Sequence, residues 1–293
     1  MGQTATLRLR DTVARIEGRG KTLTVRGAPR GGAVAGRFAV GGSGLDAFFP
    51  GGFPLPALHD FFTASARDGG LAAGFVAAVL AALGARRDGM VLWAAETLAA
   101  GEGGAPYGPG LAQFGLDPGR LLLVRSPASR EILWSLEEGL AAKGMLAVVG
   151  EVAGDPRGLD LTASRRLSLR SGRSEVPAFL LRIGGDDRSL SAARTRWRIA
   201  PAPNRGIGAG AGLLGWPVWR VALVRNRDGR CGAAALGFDA EAGRFFACDG
   251  RGAADGRGDL DALPAASEPP AGAGLAAAGR SGEVVPLARR SRR

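Results

Sequence analysis

Cysteine and histidine are scarce in this sequence, and their scarcity excludes several kinds of site. Cys231 and Cys248 are the two cysteines among 293 residues, and their spacing matches no metal-binding motif. His59 is the only histidine, and one histidine without a cysteine cluster cannot build the usual zinc site. The pattern G-x-S-x-G is also absent, so a serine-hydrolase triad has no anchor. We therefore expect two thiols in a reducing compartment, no metal centre and no hydrolase chemistry.

The chain also lacks the apolar segments that would direct it to a membrane. No apolar run looks long enough to cross a bilayer, and the N-terminal "MGQTATLRLRDTVARIEG" has no apolar signal core. We expect a cytoplasmic protein that could associate with the nucleoid, and no membrane partner.

Lysine is almost absent, whereas arginine is abundant. Lys21 and Lys143 are the only lysines, so 36 of the 38 basic residues are arginines. The formal net charge of +11 is compatible with an acidic partner such as nucleic acid, and equally with a solvated surface and tail. Hydrophobic residues make up 46% of the chain, which is enough to fill a sizeable core.

Composition divides the chain into three parts. Residues 1–37 predict a short amphipathic helix followed by a Gly- and Arg-rich linker. Residues 38–250 contain the alternating apolar segments of one compact domain. Residues 251–293 are rich in Gly, Ala, Pro and charge, so we expect a disordered basic tail.

The compact part predicts an α/β fold with a mostly parallel sheet flanked by helices. Short apolar strands alternate with helical segments, and this order is typical of a sheet covered on both faces. Ser126 is expected to cap one helix that ends at Gly144, and Asp160 to cap the next. The five predicted strands are residues 57–62, 90–95, 120–125, 145–149 and 178–183.

The pattern changes after the fifth predicted strand. The segments "ARTRWRIAP", "VWRVALVRNRDGR" and "GAAALGFDAEAGRFF" alternate as antiparallel strands do, and Asp228-Gly229 is a hairpin turn signal. We expect the first two of these strands at the edge of the core, where unpaired backbone groups offer a docking site.

The segment "FFTASARDGGLAAGFVAAVL" stands where a phosphate-binding loop would be expected. Gly69 and Gly74 have the spacing of G-x-x-x-x-G-K-[ST], but Phe75 and Val76 occupy the Lys and Ser/Thr positions. The alternative register, residues 63–70, has no lysine either. Both registers predict a degenerate loop.

Several separate motifs in one order resemble the RecA-like ATPase core and, more specifically, the ImuA family. The motifs are "FPGGFPLPALHDFF", "YGPGLAQFGLDPGRLLLV", "ILWSLEEGL", "LDLTASRRL" and "TRWRIAPAP", which spread over most of residues 38–248. The resemblance implies a RecA-like fold for residues 38–250. It also implies association with an ImuB-like protein and an error-prone polymerase in damage-induced (SOS) mutagenesis by translesion synthesis.

The resemblance also assigns expected roles to single residues. Glu96 keeps the place of the catalytic glutamate, and we treat it as a relic. Gly150 stands where an Asp should help to hold Mg²⁺, with Glu151 beside it. Tyr107 matches a position that stacks on the nucleotide base. Arg67 could replace the missing lysine charge, although its planar fork differs from a lysine in reach. The candidate degenerate nucleotide site is therefore Arg67, Gly69, Gly70, Gly74 and Tyr107.

DNA-binding loops would follow the fourth and fifth predicted strands in a RecA-like protein. Here the connections "AGDPRG" and "IGGDDRSLSAA" are short, and the second is acidic. Arg194, Arg196 and Arg198 alternate onto one strand face and form a better candidate for contact with a partner or with DNA. A solvated strand face above buried Trp197 explains the same pattern. The terminal "ARRSRR" could act as a weak electrostatic tether.

Together these observations predict a non-catalytic accessory factor that works through protein contacts on residues 190–250. We expect no ATPase activity and no bound cofactor. Two alternatives stay open at this point. One is an ATP-dependent RecA-like DNA-binding protein, and the other is a damage-induced inhibitor of cell division.

Overall fold

The computed structural model describes residues 37–38, 45–49, 52–202 and 216–248. The predicted N-terminal helix, almost all of the linker and the tail from residue 251 lie outside this range. At the N-terminal side, a two-stranded antiparallel ribbon joins β1 (Arg37–Phe38) to β2 (Phe53–Pro54), and a 3-10 turn at Leu45–Phe48 lies between them.

A nine-stranded sheet forms the centre of the described part, and it confirms the predicted α/β class. Its order across the sheet is β11-β10-β9-β8-β3-β7-β6-β4-β5. The strands are β3 (Leu58–Thr63), β4 (Met90–Glu96), β5 (Leu121–Ser126), β6 (Met145–Ala153), β7 (Ala178–Ile183), β8 (Thr195–Pro201), β9 (Val218–Asn226), β10 (Gly232–Asp239) and β11 (Arg244–Ala247).

The five predicted parallel strands are neighbours in this one sheet. β3, β4, β5, β6 and β7 pair in parallel, and β8 also runs parallel to β3. β9, β10 and β11 continue as antiparallel strands. The turn at Asp228-Gly229 connects β9 to β10 as expected, and Gly229 takes a positive φ of 156° there.

The prediction that β8 and β9 lie at an edge was wrong. β8 is paired on both sides, with β3 and β9, and β9 is paired with β8 and β10. The edge strands of the described sheet are β5 and β11. Since the backbone groups of β8 are used within the sheet, that strand cannot dock a partner by adding a strand.

Helices cover both faces of the sheet. On one face lie α1 (Gly69–Gly84), α2 (Thr97–Gly103) and α3 (Gly108–Gln113), packed on a core rich in aromatic rings. On the other face lie α4 (Ser129–Ala141) and α5 (Leu161–Ser174), packed on aliphatic side chains. The two faces therefore have different cores, joined by the sheet.

The helix-capping predictions had mixed outcomes. Asp160 caps α5 as expected, accepting a hydrogen bond from the Ala163 N–H at 2.7 Å. Ser126 does not cap α4, whose N-cap is Ala128. Ser126 is still part of β5 and accepts instead from the Ala128 N–H at 3.1 Å.

Helix α1, together with the 3-10 turn before it, is long and apolar enough to cross a membrane by length and composition alone. This corrects the expectation that no such segment exists. Most of that segment is buried inside the domain, and Phe75, Val76 and Leu80 are almost wholly inaccessible. The helix is apolar because it packs between the sheet and its neighbours as a core helix.

Candidate functional site

The corner between β3 and α1 is the expected phosphate-binding position. It contains Ala64, Ser65 and a 3-10 turn at Ala66–Asp68. The Ser65 hydroxyl accepts from the Arg67 N–H at 3.2 Å, and Thr63 Oγ1 donates to the Ser65 carbonyl at 3.0 Å. The Gly184 N–H donates to Thr63 Oγ1 at 3.2 Å. Two hydroxyls therefore hold the corner in shape by contacts within the protein.

The helix boundary decides between the two loop registers. Gly69 begins α1 and Gly74 lies in its second turn, so the stretch between them is helix rather than a loop that could wrap a phosphate. Phe75 and Val76 point into the core. Only the register 63–70 runs through a loop. In that register Gly69 and Gly70 stand at the start of the helix, where a P-loop carries Lys and Ser/Thr.

Gly103, which sequence reasoning missed, closes this corner. A Cβ at Gly69 would stand 3.3 Å from Gly103 Cα, and a Cβ at Gly103 would stand 3.1 Å from Gly69 Cα and 3.3 Å from the Ala66 carbonyl oxygen. The end of α2 thus packs backbone to backbone on the start of α1. A lysine at position 69 would have to displace this contact.

A cleft of about 160 Å³ lies beside the closed corner. It brings together four of the five residues of the predicted nucleotide site, namely Gly69, Gly70, Gly74 and Tyr107. Arg67, the fifth, is exposed, is not among the residues that line the cleft, and forms no ion pair with a described residue. Tyr107 is 70% exposed at the rim. The walls also include Ala73, Trp93, Leu111, Phe114 and Ile183.

Glu151 is the carboxylate that faces the cleft, whereas Gly150 faces the opposite side of the sheet. A Cβ at Gly150 would stand 2.7 Å from Leu136 Cδ1 and 3.3 Å from Leu180 Cδ1, both in the aliphatic core. An aspartate at position 150 would therefore not reach the cleft. The comparison of Gly150 with a metal-binding Asp is off by one residue, which in a strand reverses the face.

Burial gives Glu151 an unusual protonation equilibrium. The side chain is 5% exposed, and desolvation raises the pKa of Glu151 to about 7, opposed by the nearby Trp93 indole N–H. Trp93 Nε1 lies near this carboxyl without a hydrogen bond of good geometry. No described cation is paired with Glu151.

Glu96 is engaged in a structural contact. It is the N-cap residue of α2, but its side chain makes no capping hydrogen bond. Its Oε2 accepts from the Ala153 N–H at 2.9 Å. The side chain therefore links the carboxyl ends of β4 and β6 instead of capping the helix.

Arg194, just before β8, and Arg196 and Arg198 within it do not form an open basic patch. Arg194 makes a bidentate contact with Asp228, with Nε and an Nη donating at 2.6 and 2.7 Å. Arg198 donates to Asp187 through Nε at 3.0 Å. Arg196 is 4% exposed. The alternative prediction, a solvated strand face above buried Trp197, is correct for Trp197. It is wrong for Arg196, which is buried as well.

Arg196 belongs to a buried ionic cluster that the sequence did not reveal. Asp60 of β3 lies between Arg182 of β7, whose Nη1 is 4.0 Å from its carboxylate, and Arg196, whose Nε is 3.6 Å away. Both guanidinium groups also lie over the Phe62 ring, at 5.1 and 4.8 Å from its centroid. Burial raises the pKa of Asp60, and the neighbouring Ser191 hydroxyl and arginines oppose that shift.

Asp155 ties together the two connections where DNA-binding loops were expected. It follows β6, and its carboxylate accepts from the Arg182 guanidinium and, at 2.6 Å, from the Asp186 N–H after β7. The two short connections are therefore bonded to each other. The acidic Asp187 of the second connection is occupied by Arg198.

His59, the only histidine, lies in the core and not at a metal site. Its Nδ1 is 2.7 Å from Thr195 Oγ1, and burial lowers the pKa of His59 to about 3. Among the described residues, no cluster of three or more His, Cys, Asp or Glu side chains could hold a metal ion.

The mostly parallel sheet flanked by helices and the antiparallel C-terminal strands confirm the predicted fold class. The crystal structure of the RadB recombinase matches with a TM-score of 0.49 and 15% identity, over 72% of this chain and 99% of RadB. No family model matches the sequence.

Protein ImuA from two strains of Caulobacter vibrioides, NA1000 / CB15N and CB 15, is 37% identical to this chain over 206 residues. The match covers 66% of this chain and 80% of each relative. The chain belongs to the ImuA family.

Proposed function

We propose that this chain is a non-catalytic, RecA-like accessory factor of damage-induced mutagenesis. In this proposal it acts through protein contacts, with an ImuB-like protein as direct partner and an error-prone translesion polymerase in the same complex. Its membership of the ImuA family and its fold support this role. The closed corner at Gly69 and Gly103 is the observation that separates it from an ATP-driven motor.

ATP with Mg²⁺ is the cofactor that a RecA-like core implies, and the residues at the corner do not fit it. Phosphate binding needs a cation and loop N–H groups, and Mg²⁺ needs a hydroxyl and a carboxylate. Positions 69 and 70 are glycines, and Gly103 lies against the first of them. Arg67 is exposed and does not line the cleft.

The carboxylates of the site support the same conclusion. Glu96, at the position of the water-activating glutamate, is bonded to the Ala153 N–H. Burial raises the pKa of Glu151 to about 7, so this side chain is only about half ionised at neutral pH. The electrostatic stabilisation on which phosphoryl transfer depends is missing from both sides of the cleft.

Internal pairing of the arginines argues against strand exchange on DNA, and equally against the predicted contribution of Arg196 and Arg198 to partner docking. Arg194 and Arg198 are neutralised by Asp228 and Asp187, and Arg196 is buried beside Asp60. Phosphate contacts require basic side chains that can reach the nucleic acid. The three arginines would have to break these pairs before they could bind DNA.

Two measurements on the purified chain test the proposal. We expect no saturable binding of a fluorescent ATP analogue and no hydrolysis above background. An active RecA ATPase serves as the positive control. Turnover that disappears in Glu96→Gln would overturn the non-catalytic role and favour the ATP-dependent alternative.

Co-purification with the ImuB-like protein encoded in the same genome tests the partner. We expect a stable complex that does not require ATP. Binding to a tubulin-like division protein in place of the ImuB-like protein would favour the cell-division inhibitor.

A further inference from the structure

Helix α5 presents an exposed stripe that the fold does not use. Leu161, Arg165 and Leu169 follow one another at four-residue spacing and therefore share one side of the helix. Leu161 is 46% exposed and Leu169 is 55% exposed. The opposite side of α5 buries Ala163 and Leu167 in the aliphatic core. Leucines repeated on a solvent-facing stripe are typical of an interaction surface.

This stripe forms one wall of a groove of about 380 Å³. Ala192 and Arg227 form the other wall, and Ser168 lies along the helix side. The walls are anchored by the backbone, since the Ala192 N–H donates to Ser164 Oγ at 3.0 Å and the Arg227 N–H donates to the Arg194 carbonyl at 3.0 Å. The groove is therefore built from three fixed elements.

The groove carries positive charge that the described residues leave unbalanced. Neither Arg165 nor Arg227 forms an ion pair with a described residue. The acidic side chains at the start of α5 and beside Arg227 are engaged elsewhere. Asp160 caps α5 through the Ala163 N–H, and Asp228 is held by Arg194.

The adjacent side of the same helix shows the contrast. Arg166 and Arg170 both pair with Glu137 of α4, at 2.9 and 3.3 Å. These two arginines are thus matched within the domain, while Arg165, one residue before Arg166, is not. A cation flanked by exposed leucines matches a ligand with carboxylates beside apolar side chains.

We propose that the α5 groove, defined as Leu161, Arg165, Ser168, Leu169, Ala192 and Arg227, docks an acidic amphipathic helix of a protein partner. Apolar side chains of that helix would pack on Leu161 and Leu169, and its Asp or Glu residues would pair with the two arginines. This inference rests on the proposed function, because it takes the ImuB-like protein as the source of the docked helix.

The apolar component favours protein over nucleic acid. A phosphate backbone gains from successive basic groups and gains little from leucine side chains. In the groove, two leucines flank Arg165 along the helix. The same stripe matches the apolar face of an amphipathic helix, whose contact residues also recur every three or four positions.

The test compares two double variants of the full-length chain in binding to the ImuB-like protein. Arg165→Glu/Leu169→Glu alters the groove. Arg87→Glu/Leu98→Glu makes the same chemical changes at exposed positions near α1 and α2, on the other face of the sheet. We expect the groove variant to weaken binding at least tenfold and the control to bind as wild type does. Arg165→Gln/Leu169→Ala, a milder variant, should weaken binding in the same direction.

Each outcome decides a separate point. Equal binding by the groove variant and wild type would overturn this inference and leave the proposed function standing. If the wild-type chain does not bind the ImuB-like protein, the partner in the proposed function is wrong. The groove is then tested with a fluorescent, leucine-containing helical peptide rich in Glu, against its Lys counterpart.

Groove-dependent preference for the Glu peptide would support the inference, and no preference would overturn it. Single-stranded DNA offered to two single variants, Arg165→Glu and Leu169→Glu, covers the nucleic-acid outcome. DNA binding that is lost in Arg165→Glu and kept in Leu169→Glu would overturn the assignment to a protein partner.

Discussion

Near the carboxyl end of β3, the two faces of the sheet differ in how many charged side chains they hold and in how these are paired. On the face of α1, the corner and cleft hold glycines, aromatic rings and one buried carboxyl, Glu151, without a paired cation. On the face of α5, Asp60, Arg182 and Arg196 contact one another inside the protein. In a RecA-like motor the first face would hold charge for a nucleotide. Here charge is concentrated on the second face, in ion pairs within the domain.

Asp60→Ala is expected to have the largest effect, since it breaks the charged face. Removing this carboxylate leaves Arg182 and Arg196 buried next to each other without an anion. Loss of one partner of a buried ion pair costs about 3–5 kcal/mol of unfolding free energy. Urea unfolding measures this change.

Asp187→Ala is the control, because its pair with Arg198 is partly exposed and should contribute about 1 kcal/mol or less. Equal losses in the two variants would contradict the structural role of the buried cluster.

On the α1 face, Glu151→Gln tests the comparison through the pH dependence of stability. The pKa of Glu151 in the folded chain is about 7, above its ordinary value of 4.5. The folded state therefore holds a proton that the unfolded state releases, and stability falls as the pH rises between these values and is constant above them.

Gln cannot ionise. The unfolding free energy of Glu151→Gln, taken relative to wild type, should therefore be higher at pH 8 than at pH 4 by up to about 3 kcal/mol. Urea unfolding at the two pH values measures it. Glu241→Gln, at an exposed turn, should change stability by within about 0.5 kcal/mol at both. A gain for Glu151→Gln that does not depend on pH would mean that this carboxyl is not held protonated.

Gly103→Ala is expected to have the smallest effect of the three changes. Its methyl group would stand 3.1 Å from Gly69 Cα, so the end of α2 must shift, at a cost of about 1–3 kcal/mol. Gly101→Ala in the same helix meets no atom within 4 Å and should stabilise by up to about 1 kcal/mol. Thermal unfolding of the pair measures the difference. Similar stability of both variants would show that the corner is not closed by this contact.

Apolar periodicity was sufficient to predict the sheet. Four of the five parallel strands, β3, β4, β6 and β7, are buried on both faces, so their hydrophobic runs are continuous. The edge strand β5 is only partly buried, but it is apolar enough for its bounds also to be read within a few residues. The edge prediction for β8 failed because alternation of polar and apolar side chains does not report how many neighbours a strand has. Trp197 and Thr195 alternate with arginines in the centre of the sheet as they would at its edge.

The site was less accessible to sequence reasoning. Whether residue 150 or residue 151 faces the cleft depends on a shift of one position along β6. A continuous buried run in the sequence does not reveal that shift. Arg196 is buried beside Asp60, which is far away in sequence, so only the fold brings the two together. Gly103 was missed for the same reason, since its close contact with Gly69 depends on how α2 packs on α1.

The pairing of β3 has a consequence for synthesis on the ribosome. This strand comes early in the domain, at Leu58–Thr63, yet its two described neighbours are β7 and β8, which begin at Ala178 and Thr195. An emerging chain therefore carries "LHDFFT" and the apolar helix after it for most of the domain's translation before the sheet can close around them. Such a non-local topology folds slowly and exposes apolar surface meanwhile. A chain released before residue 195 would lack the strand that completes the centre of the sheet.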